Sequence, residues 1–164
     1  MDNKIPKIKV ILVGESKVGK TSLINQYINN EDTLSYIATM GADKSLKNIN
    51  IEGKEVTLEI FDTVGQPDYR IVNKIFMKNT KIALIVYDIT NRESFEELPG
   101  WINNVKEINQ SSDIILSIIA NKSDLYEERN ISLEEGKKFA ADNHCFFLKL
   151  LLLIMRVLIK FLKT

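Results

Sequence analysis

Ile8-Lys9-Val10-Ile11-Leu12-Val13-Gly14-Glu15-Ser16-Lys17-Val18-Gly19-Lys20-Thr21 passes from an apolar run into a stretch rich in glycine and lysine. Residues 8–13 lack polar alternation, as expected of a strand covered on both faces. Residues 14–21 then match G-x-x-x-x-G-K-[ST]. In such a loop the glycines let successive backbone N–H groups wrap a phosphate, the lysine adds a cation, and the threonine hydroxyl is a ligand for Mg2+. Residues 20–29 read as a helix whose positive end points back at the loop, which makes the site more attractive to an anion. The bland alternative is an ordinary glycine- and lysine-rich turn. Strand before and helix after favour phosphate, and the candidate phosphate-binding residues are Gly14, Ser16, Lys17, Val18, Gly19, Lys20, Thr21 and Ser22.

Outward from this loop, residues 82–87 and 114–120 are further apolar runs expected to be buried parallel strands. Residues 46–51 and 56–61 read as a hairpin turning at Glu52-Gly53-Lys54. A helix is expected over residues 132–143, where Ser132 and Glu135 have capping-box spacing. Pro99-Gly100 would break a helix begun at Ser94, so a short turn is expected there, with the helix proper starting at Pro99 and ending near residues 106–109. Alternation of strands and helices makes the class α/β. The 164 residues suffice for a single domain with one substantial core, and basic and acidic residues balance at 22 each, which argues against a nucleic-acid binder. Cys145 is the lone cysteine, excluding an internal disulfide and fitting a reducing compartment, and the N-terminus carries no apolar signal segment.

Two more short stretches carry chemistry. Asp62 follows an apolar strand, where its carboxylate can reach Mg2+, and Gly65 and Gln66 come just after it. Alone, Asp62-Thr63-Val64-Gly65-Gln66 is as readily an ordinary turn. Beside a phosphate loop it reads as a γ-phosphate sensor, with the Gly65 N–H on the phosphate and Gln66 orienting the attacking water. Asn121-Lys122-Ser123-Asp124 follows another strand. A carboxylate at Asp124 can accept from guanine N1–H and its exocyclic amine but would repel the N1 lone pair of adenine, so it selects guanine. The same four residues alone are an unremarkable loop; three such motifs in order are not. A phosphate-loop ATPase or kinase is the reading they disfavour.

With these motifs in place, residues 7–147 resemble the Ras superfamily of small GTPases, and the Rab family within it. Leu84-Ile85-Val86-Tyr87-Asp88-Ile89-Thr90, Ser94-Phe95 and Trp101-Ile102 carry the Rab-like wording. The resemblance implies a three-layer phosphate-loop fold: a mostly parallel six-stranded sheet with one antiparallel edge strand and helices on both faces. It implies GTP or GDP with Mg2+ as cofactors, Thr39 as the switch threonine that binds the metal beside Thr21 and Asp62, and slow hydrolysis with Lys20, Thr39 and Gln66 as catalytic residues. Asn121, Lys122 and Asp124 would read guanine. It further implies a monomer cycled by exchange factors and GTPase activators, with effectors, in vesicle traffic at the cytosolic face of endomembranes.

Departures are specific. Asp32 stands where the family has an aromatic residue stacked on guanine, Ala38 and Val64 replace a proline and an alanine of the switches, and Pro67 replaces the glutamate after the catalytic glutamine. The aromatic surface that relatives use for effectors corresponds to Lys44, Phe61 and Phe76, which implies altered partner choice, while for Trp101 ordinary core packing is expected. Residues 148–164 hold seven leucines and four basic residues with no acid, leaving 18 basic against 22 acidic before them. They read as an aberrant tail in place of the family's Ser-Ala-Lys guanine loop and last helix. No cysteine for prenylation follows Cys145. Arg156 and Lys160 interrupt the apolar run too early for a membrane span. An interfacial helix, a packed helix and a shifted reading frame, which permits Glu-Thr-Ser-Ala from codons of residues 148–152, remain open.

Overall fold

The structure, a computed structural model, describes residues 5–29, 34–39, 42–64, 70–110 and 113–148. In chain order they form β1 (Lys7–Val13), α1 (Lys20–Asn29), β2 (Leu34–Thr39), β3 (Ala42–Ile51), β4 (Lys54–Thr63), α2 (Arg70–Met77), β5 (Ile82–Asp88), α3 (Arg92–Glu96), α4 (Leu98–Ile108), β6 (Ile115–Asn121), α5 (Leu133–Asp142) and β7 (Phe146–Leu148). A 3-10 turn at Tyr126–Glu128 lies between β6 and α5.

Seven strands form one sheet in the order β2-β3-β4-β1-β5-β6-β7. The pairs of β1 with β4 and β5, of β5 with β6 and of β6 with β7 are parallel. The strand β3 runs against β4, as the expected antiparallel member, and β2 adds a further strand outside it. The α/β architecture expected from the alternation of elements is therefore present, with β2 widening the sheet beyond β3.

Apolar side chains on both faces of the central strands explain the layering. Val10 and Leu12 of β1 share one core cluster with Leu58, Leu84 and Val86, and α1 closes over it with Leu23, Ile24, Tyr27 and Ile28. Ile11 and Val13 point to the other face, with Ile85, Tyr87 and Ile118, where Met77, Phe95, Leu98, Ile102, Val105 and Ala140 of α2 to α5 pack. Every residue of β5 is buried. Gly136 makes the α5 contact possible, because a Cβ there would collide with the Tyr87 hydroxyl and the Phe147 ring.

Local signals act where they were expected, with small shifts. Ser132 Oγ accepts the Glu135 N–H at 3.1 Å and caps α5. Asn91 Oδ1 accepts the N–H groups of Glu93 and Ser94 at the start of α3. Glu97 separates α3 from α4, so the chain makes a short helix where a turn was expected, and Leu98 rather than Pro99 opens α4. The hairpin turns at Glu52 and Gly53, both with positive φ (51° and 86°), which lets β3 and β4 extend to ten residues each. Inside, Lys47 of β3 donates to the Tyr27 carbonyl at 2.7 Å with its ammonium 3.9 Å from the Tyr27 ring, tying the hairpin to the negative end of α1.

Candidate functional site

The carboxyl ends of β1, β4, β5 and β6 lie together because their registers are fixed: Leu12 is level with Asp62 and with Leu84, and Asp88 with Asn121. In open α/β sheets this end, where crossovers leave in opposite directions, is the place for a ligand. The helix α1 leaves β1 towards one face, whereas α2 returns from β4 over the other.

The loop after β1 is held from below. Gly14 has φ 141°, and a Cβ on it would overlap the Val86 carbonyl oxygen, so the loop passes over β5 only as glycine. Gly19, with φ 95°, leaves the space that the Asn121 amide occupies. Lys17 adopts φ 65° in the same loop, an uncommon conformation for a side-chain-bearing residue, and it and Ser16 are exposed. Lys20 is buried and its Nζ donates to the carbonyls of Gly14 and Glu15, each at 2.8 Å. Burial pulls the Lys20 pKa down, and the nearby carboxylates of Asp62 and Glu15 oppose that pull.

Beside Lys20, the Thr21 hydroxyl donates to Asp62 Oδ2. Burial raises the Asp62 pKa, resisted by that hydrogen bond and by the Lys20 ammonium. The second carboxylate oxygen, Asp62 Oδ1, is buried without a hydrogen-bond partner among the described residues. An orphaned carboxylate oxygen beside a hydroxyl fits a hard divalent cation that takes the rest of its ligands from phosphates and water, as Mg2+ does. No cluster of three or more His, Cys, Asp or Glu side chains stands among the described residues.

The loop after β6 is tied to the phosphate loop. Asn121 Nδ2 donates to the Val18 carbonyl at 2.7 Å across 103 residues of chain. Lys122, at φ 60°, ion-pairs with Asp88 Oδ2 at 2.5 Å. Burial pushes the Asp88 carboxyl up, but Lys122 and the N–H and hydroxyl of Thr90 bring it below its ordinary value. Asp124 is exposed, with no side-chain partner among the described residues.

The pattern of the Ras family matches residues 9–151. The chain belongs to the Ras family. Ras-related protein Rab-8B from Bos taurus, from Pongo abelii and from Homo sapiens is each 36% identical to it over 141 residues, covering 86% of this chain and 68% of the relative. The protein is thus a Rab-like small GTPase of the Ras superfamily.

In this Ras-family chain the structure brings together the loop residues Gly14 to Ser22, Asp62, Asn121, Lys122 and Asp124 at one end of the sheet. Thr39 ends β2, its backbone level with Ala42. Gly65, Gln66, Pro67 and Asp32 lie outside the described residues, as does the tail from residue 149 onward. The three positions matched to an effector surface do meet. The rings of Phe61 and Phe76 are 6.0 Å apart, and Lys44 Nζ sits 5.5 Å from the Phe61 ring while pairing with Glu59 at 2.8 Å.

Sequence reasoning missed two contributors. Asp88 ends the apolar strand β5, much as Asp62 stands one residue before the end of β4, and that shared signal would have found it. Trp101 packs against the core as expected, yet it is only half-buried, and its indole N–H donates to Glu15 Oε1 at 3.1 Å.

Proposed function

We propose that the protein is a guanine-nucleotide switch that binds GTP and GDP with Mg2+, hydrolyses GTP slowly to GDP and phosphate, and acts in vesicle traffic on the cytosolic face of endomembranes. The observation that carries this reading is the convergence of Lys20, the Thr21–Asp62 pair and the Asn121–Val18 tie at one sheet end. Lys20 has three N–H donors, of which two rest on loop carbonyls, so a donor and the charge remain for a phosphate oxygen. Backbone N–H groups from Ser16 to Ser22 and the positive end of α1 complete the cradle. Thr21, Asp62 and Thr39 would hold Mg2+, which when bound offsets phosphate charge. Asp124, presented by a loop that Lys122 and Asp88 brace, reads the guanine edge. The Gly65 N–H senses the γ-phosphate, and Gln66 holds the attacking water in line.

No arginine is assigned to the transition-state charge, so hydrolysis is slow until a GTPase activator supplies one. Exchange factors and effectors complete the cycle of a monomer, with the Lys44, Phe61 and Phe76 surface setting effector choice. A second reading, a module that holds nucleotide without cycling, is favoured by Asp32 and Pro67. One experiment separates the two. The nucleotide released on denaturing the purified protein is identified, and single-turnover GTP hydrolysis is followed beside Gln66→Leu. Guanine nucleotide with turnover above that variant supports the switch. Guanine nucleotide with equal rates supports the static module, and adenine nucleotide refutes the guanine switch in favour of a phosphate-loop ATPase or kinase.

A further inference from the structure

Glu15 poses an electrostatic problem that the phosphate loop has to solve. Its carboxylate is close enough to oppose the lowering of the Lys20 pKa, so it lies within electrostatic reach of the cation that would meet a bound phosphate. A negative charge in that position repels a polyphosphate, and at such range in a half-buried site the repulsion is weakly screened. The Glu15 side chain is not loose, however: Oε1 accepts the Trp101 indole N–H at 3.1 Å, from a residue 86 positions away on α4. Trp101 is itself fixed by packing against the cluster that contains Leu98, Ile102 and Val105. An indole has one donor and no acceptor, so this contact can serve only an acceptor such as that carboxylate.

We propose that Trp101 is a positioning residue for nucleotide binding: its N–H holds the Glu15 carboxylate against α4 and so keeps that charge off the polyphosphate in the loop. The proposal rests on the phosphate-loop reading above. It makes Trp101 act through Glu15 alone, and it gives α4 a direct grip on the loop that carries Lys20. Because Trp101 is the only tryptophan in the chain, its emission reports this grip without a label.

The test is the dissociation rate of a fluorescent N-methylanthraniloyl GDP from full-length protein in Mg2+, for wild type, Trp101→Phe, Glu15→Ala and the double variant. Trp101→Phe keeps the ring packing and loses the donor. It is expected to speed release roughly 3- to 10-fold, the range for a hydrogen bond to a charged group at a partly exposed site. In the Glu15→Ala background the same substitution is expected to change the rate less than about 1.5-fold, since no carboxylate remains to be held. A purely structural tryptophan would act equally in both backgrounds, and that result overturns the proposal. Should Trp101→Phe not fold, Trp101 emission on titration with Mg2+ and tripolyphosphate decides instead. A response in wild type that disappears in Glu15→Ala supports the tether, and a response that persists or never occurs overturns it. Wild type that fails to retain the labelled GDP refutes the guanine reading separately, and the tripolyphosphate titration still judges the tether.

Discussion

Replacing Asn121 by alanine should weaken nucleotide binding more than it unfolds the protein. The Asn121 amide donates to the Val18 carbonyl at 2.7 Å, and Val18 is buried, with 1% of its surface exposed. Losing that bond removes about 1 kcal/mol, and leaving the Val18 carbonyl unpaired beside the core adds about 1–2 kcal/mol more. The Ile89 N–H still bonds the Asn121 carbonyl at 3.2 Å, so β6 keeps its place next to β5. What loosens is the relation between the loop proposed to cradle phosphate and the loop proposed to read the base. A bound nucleotide spans both, so most of the roughly 2–3 kcal/mol falls on binding, a 30- to 150-fold rise in Kd. Titration with labelled GDP, alongside a thermal melt of the same sample, measures the two effects separately. A Kd within twofold of wild type, with the melt lowered, would refute the reasoning and make Asn121 a folding residue only.

Other expectations follow from single contacts. Gly14→Ala forces a Cβ onto the Val86 carbonyl at φ 141° and should cost about 3 kcal/mol, a fall of roughly 6–12 °C in Tm by calorimetry. Asp88→Asn should destabilise the fold at neutral pH, and the difference from wild type should vanish in acid. The folded Asp88 carboxyl lies below its ordinary value of 3.8, so its contribution is complete above that value and is lost as pH falls through the lower one. Urea midpoints measured from pH 6 down to pH 3 would show the gap closing only below about pH 4. Tyr87→Phe should stabilise by about 1 kcal/mol in urea denaturation, because its fully buried hydroxyl has no partner among the described residues, and burial pushes its pKa up to about 12.

The strands and the phosphate loop were legible because each announces itself locally. Residues 10–13 and 82–87 are buried and apolar on both faces, and the loop motif combines glycines that positive φ requires with a lysine that fills the centre. The hairpin was legible from Gly53, although Glu52 in the left-handed region shortened the turn by a residue. Elements whose stability comes from distant partners were not. The strand β2 is a short edge strand paired with β3, and β7 has three residues paired with β6. The helix α3 is a single turn secured at one end by Asn91 and by the fork of Arg92 onto Glu135, 43 residues away. At the site, Asn121 and Lys122 were assigned to guanine from a motif, while their actual ties to Val18 and Asp88 depend on sheet order. The Trp101–Glu15 bond has no local pattern at all, since nothing near either residue names the other.

The hairpin of β3 and β4 also offers a practical landmark. Its ten paired positions run without a slip from Ala42–Thr63 at the nucleotide end to Ile51–Lys54 at the other. A shift by one residue would drag the buried Lys47 out of its seat on Tyr27, so the register is locked. Ten residues of strand span about 33 Å. A dye on Lys54, exposed beside the turn, therefore marks a fixed point at the far end of the hairpin. From there, a single-molecule distance to a labelled nucleotide becomes a ruler with one immovable end.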